Sequence, residues 1–297
     1  MTRRTIKYGE DYFVRYNEEV CRVRKSYIVY YEYSMTPSTF TVIITTYKRP
    51  DAVMRSVQSV TSQSYQNWQL YVVIDDTESD YNTLKSLHDP GKTNIIQNQT
   101  NVGKNASVNR VLDILAEQNF GGYIIFLDDD DWLAPNCLAD FATHQIKHPD
   151  QAWLVSQRAS SETGVSYTTT KKPRSQFSYT RDCLLLRTFT GDATHCISFP
   201  EIKAVRFPYH IKNAEEWIYF AAIVKHIPLF SYLPVTGTLS PGYAPDGLTQ
   251  QYSHINRWER NKIVLTELKE RGLLSSPYVL LYLLGRYTKT ILYSFKK

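Results

Sequence analysis

Hydrophobic and polar positions divide the chain into alternating strands and helices from residue 40 onward. Runs of β-branched and aliphatic residues bounded by polar segments predict buried strands, which cover residues 40–47, 68–76, 93–98, 123–128 and 152–157. Between them, apolar residues spaced three and four apart predict helices, which cover residues 48–63, 103–118 and 135–148. This alternation predicts an α/β fold, with a mostly parallel sheet flanked by helices on both faces.

The segments outside this region have other patterns. Residues 10–35 place aromatic residues and valines three or four positions apart, which predicts an amphipathic N-terminal accessory helix. Residues 160–182 are rich in serine and threonine and predict a loop. Residues 236–250 contain three glycines and two prolines, which is typical of a long loop that serves as a lid. Residues 255–271 predict a helix, and an apolar segment with basic residues follows it.

Net charge, cysteine spacing and the lengths of apolar runs exclude only a few classes of protein. The formal net charge of +5 in 297 residues is too small to indicate nucleic-acid binding. The four cysteines have no zinc or CxxC spacing, which favours reduced thiols. We find no apolar run of about 18 residues that predicts a spanning helix and no apolar N-terminal stretch typical of a signal peptide. We therefore expect a cytoplasmic protein.

Four consecutive aspartates, Asp128 to Asp131, begin at the end of a predicted strand. Like charges about 4 Å apart repel by about 4 kcal/mol at an effective dielectric of 20. A divalent cation resolves this repulsion, because Mg²⁺ and Mn²⁺ prefer carboxylate oxygens and bind one or two of them together with substrate phosphates. Along a strand Asp128 and Asp130 point to one side and Asp129 to the other. The alternative, that the aspartates cap a turn and a helix, accounts for one or two of the four.

Polar residues follow the other predicted strands as well. Tyr47 ends the first strand, and Asp75 and Asp76 end the second. In an open parallel sheet, ligands bind outside the carboxyl ends of the strands. One aspartate of this pair can accept a hydrogen bond from a base or a ribose hydroxyl, and the other can cap the next helix. The sequence thus predicts a ligand site at this edge of the sheet.

Four blocks resemble, in order and spacing, the family-2 glycosyltransferases of the GT-A fold. They read TVIITTYKRP, SVTSQSYQNWQLYVVIDDTESD, NQTNVGKNASVNRVL and GYIIFLDDDDWLAP, and the resemblance covers about residues 40–155. It implies a nucleotide-sugar donor, usually UDP-linked, a Mn²⁺ or Mg²⁺ ion, and inversion at the anomeric carbon. The D-x-D-D variant is similar to that of bacterial enzymes that build lipid-linked O-antigen or capsule repeats.

The resemblance also implies roles for individual residues. Donor-binding positions correspond to Thr45, Tyr47, Arg49, Asp76, Asn101, Gly103, Asn109, Asp128 and Asp129. Among them, Asp76 matches the residue that reads uracil, and Thr45 departs from the proline of many relatives. Asp130, together with Asp128, matches the metal ligands.

The stretch IKNAEEWIYF matches the block in which the family places its catalytic base in an E-D pair. Glu216 aligns with the usual aspartate and is the expected base, and Glu215 remains a second candidate. The alternative is that both residues form an acidic first turn that favours the helix dipole. Asp192 and His195 are candidates for the acceptor pocket. His254, Arg257 and Arg260 either contact the diphosphate or form a solvated helix face.

These expectations give four regions and several partners. The regions are an N-terminal helical extension (1–36), a nucleotide-sugar-binding half (37–155), an acceptor-binding half with the lid (156–254) and C-terminal helices (255–297). The basic, aromatic C-terminal segment either contacts the inner face of the cell membrane or docks on the catalytic domain. Residues 10–35 are the expected contact of a homo-oligomer. The rival functions are a sugar-phosphate nucleotidyltransferase, which needs a Gly-rich loop absent from TTYKRPD, and a catalytically inactive scaffold.

Overall fold

The computed structural model describes residues 12–16, 19–23, 38–86, 91–242 and 257–294. The chain divides into two compact units, residues 1–36 and 37–297. In the first unit, strands β1 (Tyr12–Tyr16) and β2 (Glu19–Val23) pair antiparallel. The helix predicted over residues 10–35 is therefore wrong in the described part of that segment. Its aromatic and β-branched residues favour strands as strongly as their spacing favoured a helix.

The second unit is built on a mixed sheet of nine described strands. Its strands are β3 (Phe40–Thr46), β4 (Trp68–Ile74), β5 (Thr93–Gln97), β6 (Tyr123–Asp128), β7 (Trp132–Leu133), β8 (Trp153–Ser160), β10 (Gln176–Phe177), β12 (Ala193–Ser198) and β13 (Phe230–Ser240). The strand order is β10-β13-β8-β12-β6-β3-β4-β5, and β7 pairs with β13. A separate small pair joins β9 (Thr169–Thr170) to β11 (Phe189–Thr190).

Helices cover both faces of this sheet, as predicted. The α-helices are α1 (Pro50–Thr61), α2 (Asn82–Ser86), α3 (Lys104–Glu117), α4 (Cys137–Lys147), α5 (Trp217–Ile223), α6 (Arg257–Glu270) and α7 (Pro277–Ser294). A π-helix covers Tyr179–Leu185, and 3₁₀ turns cover Pro200–Ile202 and Leu273–Ser275. Valines and leucines of α3 pack in the core on one face, whereas α1 and α4 pack in the core on the other. The α/β fold is confirmed.

The parallel strands β4, β3 and β6 bring the predicted ligand residues to one edge. The register pairs Thr45 of β3 with Asp128 of β6. Directly after the end of β4, the Asp75 amide donates to the Thr46 carbonyl at 2.9 Å. The strand ends are therefore level, and the polar residues that follow them lie side by side.

The sheet extends beyond the predicted strands because β12 and β13 complete it. Strand β12 runs antiparallel between β6 and β8, and β13 runs parallel to β8. The predicted loop 236–250 is wrong over its first five residues, since β13 continues to Ser240. Gly237 permits close approach there, because a Cβ would lie 2.0 Å from the Ser156 Oγ. Residues 243–256, and with them the remaining lid segment and His254, lie outside the described residues.

Candidate functional site

A cleft of about 1560 Å³ opens at the carboxyl ends of β3 and β6. On its sheet side the predicted residues that line it are Thr45, Tyr47, Arg49, Asn101, Asp128, Asp129 and Asp130, and Asp75 and Asp131 line it as well. The predicted donor residues Asp76, Gly103 and Asn109 are not in its lining. On the facing side it is lined by Asp192, His195, Glu215, Glu216, Arg257, Arg260 and Arg286. The structure therefore joins the aspartate segment and the EEW segment in one cavity.

Three of the four aspartates form a compact set of oxygen ligands. One carboxylate oxygen from each of Asp128, Asp130 and Asp131 lies within 4.8 Å of the others. Carboxylate oxygens are the donors that Mg²⁺ and Mn²⁺ prefer, so the residues present fit a divalent cation. Ser56 holds the backbone of this turn, because its hydroxyl donates to the carbonyls of Asp129 and Asp131.

Two cations already compensate the exposed aspartates. Lys104 Nζ lies 2.7 Å from Asp128 Oδ1, and Arg49 Nη1 lies 3.0 Å from Asp130 Oδ2. The positive charge of Lys104 is the main reason that the pKa of Asp128 lies below its ordinary value. Asp128 is therefore an anion at neutral pH, as a metal ligand must be.

The other two aspartates are more deeply buried. Asp129 accepts from Thr46 Oγ1 at 2.8 Å, and burial raises its pKa to about 6. Asp131 pairs with Arg158 Nη2 at 3.0 Å, and burial together with the charge of Asp128 raises its pKa to about 7. Asp129 lies outside the set of three possible metal ligands, but it shares Arg49 with Asp130, since Arg49 Nη1 is 3.4 Å from Asp129 Oδ1.

The two glutamates of the EEW segment have different environments. Glu215 is buried and accepts two parallel hydrogen bonds from Arg286, at 2.7 and 2.8 Å, and another from Arg260 at 2.5 Å. Glu216 has 35% of its side chain exposed in the cleft, and Lys104 Nζ is 3.2 Å from its Oε1. Lys104 therefore bridges Glu216 and Asp128 across the cleft.

A strained backbone turn places the side chains of Glu215 and Glu216 in these different environments. Ala214 and Glu215 have φ of 65° and 61°, in the left-handed region, which costs a non-glycine residue about 1–3 kcal/mol. The Asn105 side chain donates to the carbonyls of Ile211 and Ala214, and so holds this turn against the start of α3. The turn directs Glu215 toward the C-terminal helices and leaves Glu216 facing the aspartates.

Asp75 and Asp76, the second of which is the predicted uracil reader, hold loops beside the cleft. Asp75 accepts from the amides of Val102 and Gly103 and from Asn98 Nδ2, at 2.7–2.9 Å. The carboxylate of Asp76 accepts from the amides of Glu78 and Ser79, at 2.7 and 3.2 Å, within its own loop.

The three predicted residues of the N-x-G…N block occupy different positions relative to the cleft. Asn109 exchanges hydrogen bonds with the Phe207 backbone, at 2.7 and 3.1 Å. Asn101 lines the cleft, whereas Gly103 lies beneath it against the Lys212 backbone. Of Asn101, Gly103 and Asn109, only Asn101 therefore lines the cavity.

Sequence reasoning missed three cations that organise the cleft. Lys104 directly follows the N-x-G residues, and Arg158 joins Asp131 to Asp192, whose Oδ2 lies 2.9 Å from Arg158 Nη1. Arg286 was assigned to a terminal segment rather than to the site. The unpaired charge of four aspartates was the available signal, but the sequence does not show which cations fold back onto them.

His195 is neutral where it lines the cleft. Its ring stacks on Phe220 with centroids 4.2 Å apart, and burial lowers its pKa to about 3. The Trp153 indole donates to His195 Nδ1 at 3.1 Å, which requires an unprotonated nitrogen. His195 therefore contributes a neutral aromatic ring to the lining of the cavity.

The chain is similar in sequence to known proteins. Glycosyl transferase family 2 matches residues 41–203. WcaA of Escherichia coli strain K12, described as a candidate glycosyl transferase of colanic acid biosynthesis, is 32% identical over 119 residues, or 39% of this chain and 40% of WcaA. EpsE of Bacillus subtilis strain 168, described as a candidate glycosyltransferase, is 33% identical over 112 residues, or 36% of this chain and 38% of EpsE. The matches thus span about two fifths of each relative's length.

Solved structures show the same fold at low identity. TarS of S. aureus in complex with UDP-GlcNAc has a TM-score of 0.60 and 16% identity, over 80% of this chain and 67% of that one. The mannosyltransferase PcManGT of Pyrobaculum calidifontis, in complex with GDP-Man and Mn²⁺, has a TM-score of 0.50 and 13% identity, over 80% of this chain and 64% of that one. None of the described helices combines the length and the apolar character that crossing a membrane requires. Because the family match covers more than half of the sequence, the chain belongs to glycosyl transferase family 2.

Proposed function

We propose that the protein is a metal-dependent, inverting hexosyltransferase. It transfers a hexose from a nucleotide-sugar, UDP-linked, to a hydroxyl of a lipid-linked or polysaccharide acceptor in bacterial surface polysaccharide synthesis, such as O-antigen or capsule. The observation that carries this proposal is the bridge from Glu216 through Lys104 to Asp128, which sets a base candidate opposite the aspartates in one cleft. The description of the relative WcaA, which names colanic acid biosynthesis, supports the polysaccharide context.

Glu216 is the catalytic base in this proposal. Its exposed carboxylate takes the proton of the acceptor hydroxyl as that oxygen attacks the anomeric carbon. The new carbon–oxygen bond forms on the face opposite the leaving group, the bond to the nucleotide diphosphate breaks, and the electron pair leaves with the diphosphate. Glu215 does not take this role, because both its oxygens are held by arginines and a tryptophan.

Lys104 has two functions in this scheme. It orients Glu216 and Asp128, and its cationic form is stabilised by both carboxylates. Burial alone would lower the pKa of Lys104, but the charges of Asp128 and Glu216 raise it above its ordinary value. Lys104 therefore remains protonated and does not compete with Glu216 as a base.

Asp130 and Asp128 would hold a Mn²⁺ or Mg²⁺ ion, with Asp131 nearby, and such an ion supplies positive charge to a diphosphate. The donor nucleotide would bind along Thr45, Tyr47 and Arg49 at the end of β3. We assign residues 37–155 to the donor and 156–254 to the acceptor, and α7 to a peripheral membrane contact.

The decisive experiment is calorimetric titration of UDP, GDP and dTDP, each with Mn²⁺ and with EDTA. We expect UDP to bind with Mn²⁺ and this binding to disappear in EDTA and in Asp130→Asn. Asp150→Asn is the matched control, because Asp150 is an exposed carboxylate on the turn after α4 and should bind UDP like the wild type. If no nucleotide binds the wild-type protein, the donor site is wrong and an inactive scaffold is the better assignment.

A further inference from the structure

Two polar groups in the lining of the cleft have no hydrogen-bond partner among the described residues. They are the Nε2 nitrogen of His195 and the hydroxyl of Tyr179, which belong to half-buried side chains. Both atoms are accessible from the cleft. Each of them can therefore form a hydrogen bond with a molecule that binds there.

The Trp153 indole determines which nitrogen of His195 carries the proton. An indole N–H can only donate, and Trp153 Nε1 lies 3.1 Å from His195 Nδ1, so Nδ1 is unprotonated. Burial lowers the pKa of His195 to about 3, and the ring is therefore neutral at pH 7. A neutral imidazole without a proton on Nδ1 carries it on Nε2. His195 consequently presents an N–H donor to the cleft.

The Tyr179 hydroxyl is a second neutral group beside His195. Burial raises the pKa of Tyr179 well above its ordinary value, so the phenol keeps its proton. The rings of Tyr179 and His195 meet edge to face, with centroids 6.3 Å apart. A hydroxyl can donate one hydrogen bond and also accept one. The two neighbouring rings therefore offer uncharged polar atoms to the same ligand.

Aromatic rings surround these two polar groups and form an aromatic cluster, which consists of Trp153, Tyr179, His195 and Phe220. The His195 ring stacks on Phe220 with centroids 4.2 Å apart, and Tyr179 lies 5.2 Å from Phe220. Aromatic walls with a few fixed polar groups are typical of sites for small molecules. A pyranose ring has matching chemistry, because its C–H face is apolar and its edge carries hydroxyl and ring oxygens.

One turn of helix joins the aromatic cluster to the proposed base. Phe220 lies four residues after Glu216, and its amide donates to the Glu216 carbonyl at 3.2 Å. Residues four apart lie on the same face of a helix, and both of these side chains line the cleft. A sugar that packs against the cluster therefore lies beside the carboxylate of the proposed base.

We propose that the aromatic cluster binds a pyranose ring of the acceptor, with His195 Nε2 and the Tyr179 hydroxyl hydrogen-bonded to its oxygens. The identity of this sugar as the acceptor rests on the proposed function, whereas the sugar site rests on the cluster and its two polar groups. The hexose of the donor has the same chemistry, and the test separates these two sources.

The test is an NMR titration of the full chain with the methyl pyranosides of glucose, galactose and mannose. We expect saturable binding of at least one of them. Tyr179→Phe removes a hydroxyl that has no partner among the described residues, and should weaken binding about twofold to tenfold, the effect of one neutral hydrogen bond.

Two variants of His195 separate its ring from its donor. His195→Phe keeps an aromatic ring without an N–H, and should weaken pyranoside binding about twofold to tenfold. His195→Gln can place an amide N–H near the position of Nε2, and should bind the pyranoside more tightly than His195→Phe. Thermal denaturation checks that each variant is folded.

Tyr209→Phe is the matched control, because Tyr209 is 68% exposed and lies outside the cleft lining. It should bind the pyranosides like the wild type. If no pyranoside binds the wild-type protein, the sugar site is wrong. The same conclusion follows if neither Tyr179→Phe nor His195→Phe weakens binding.

UDP, UDP-glucose and UDP-galactose, each with Mn²⁺, separate an acceptor sugar from the donor hexose. We expect the pyranoside to bind together with each of them, and Tyr179→Phe to keep the wild-type affinity for all three. If a UDP-hexose displaces the pyranoside, and Tyr179→Phe weakens that UDP-hexose but not UDP, the site holds the donor hexose. The acceptor assignment is then wrong.

The same titrations distinguish failure of the sugar site from failure of the proposed function. UDP binding with Mn²⁺ in a protein that binds no pyranoside would overturn the sugar site alone. Pyranoside binding in a protein that binds no nucleotide would support the sugar site and overturn the proposed transferase.

Discussion

At the scale of single residues, the neighbouring glutamates Glu215 and Glu216 differ in their chemistry because they have different partners. Glu216 contacts one lysine and retains an exposed carboxylate, whereas Glu215 contacts two arginines and an indole. A base must exchange a proton with substrate, and Glu215 is buried beneath its arginines. The burial and the partners of the two glutamates therefore show which of them can act as a base. Their positions in the sequence do not show this.

We expect Glu216→Gln to lower kcat by about 10²–10⁴-fold, because the amide has nearly the shape of the carboxylate but cannot accept the acceptor proton. The affinity for UDP with Mn²⁺ should stay at the wild-type value. Steady-state kinetics and nucleotide titration on the same preparation check both expectations. Retained turnover in this variant would mean that another group is the base.

Glu215→Gln should instead reduce stability. Removing the charge leaves two arginines facing a buried neutral group, and breaking a buried ion pair in this way costs about 3–5 kcal/mol of unfolding free energy. Urea denaturation at pH 7 measures this loss. Glu259→Gln is the control, because Glu259 forms an exposed ion pair with Lys262, and such pairs contribute about 0–1 kcal/mol.

The same residue gives a pH dependence with a definite sign. Burial alone would raise the pKa of Glu215, but Arg286 and Arg260 outweigh it and hold the pKa below its ordinary value. Its contribution is therefore complete above the unfolded pKa of about 4.3 and is lost as the pH falls through the folded value. The stability difference between wild type and Glu215→Gln should shrink from pH 7 to pH 3, and a constant difference would contradict this assignment.

At the scale of elements, the strand–helix order from residue 40 to 160 followed from the hydrophobic pattern because the central strands β3, β4 and β6 are almost entirely buried, on both faces. Strands β12 and β13 were missed for physical reasons. Strand β12 contains polar residues that face the cleft, including His195, and β13 contains Pro234 next to a register shift between Leu233 and Thr236. Proline and polar residues normally indicate loops, so only tertiary pairing identifies these segments as strands.

The loop before α3 shows how one glycine shapes the donor side of the cleft. Gly103 has a φ of 91°, and a Cβ would lie 2.5 Å from the Lys212 carbonyl oxygen. The Gly103 amide donates to Asp75 Oδ2 at 2.7 Å. The backbone geometry therefore requires the glycine of the N-x-G block. Gly103 allows the loop before α3 to pack against the segment that precedes Glu215.

We expect Gly103→Ala to lower the unfolding free energy by about 1–3 kcal/mol or more, because it adds backbone strain and a steric clash. Thermal denaturation should show the Tm falling by about 2–4 °C for each kcal/mol lost. Gly121→Ala is the matched control, since an added Cβ there has no heavy atom within 4 Å. If both variants unfold like the wild type, the loop adapts without strain.

At the scale of the whole molecule, one face of α7 supports the proposed contact with an anionic membrane. The chain carries a formal charge of +5. The exposed residues of α7 lie within one third of the helix circumference and form a leucine stripe, which consists of Leu280, Leu281, Leu284, Ile291 and Leu292. A helix with an apolar face and neighbouring basic residues binds at the interface of an anionic bilayer rather than across it. The sequence left two interpretations of this segment open. Docking is confirmed, because Val279 and Leu283 pack in the core, and the exposed leucine stripe leaves membrane contact as a prediction.

We therefore expect the wild-type protein to float with phosphatidylglycerol vesicles, and less with phosphatidylcholine vesicles. Leu281 and Leu284 are 51% and 53% exposed, so Leu281→Asp/Leu284→Asp should fold normally. Each buried leucine contributes about 1.5–3 kcal/mol, so the double variant should lose about 100-fold or more in vesicle affinity. Ile146→Asp, at an exposed position on α4, is the control. Unchanged flotation with a lower mass in light scattering would instead assign the stripe to contact between copies of the chain.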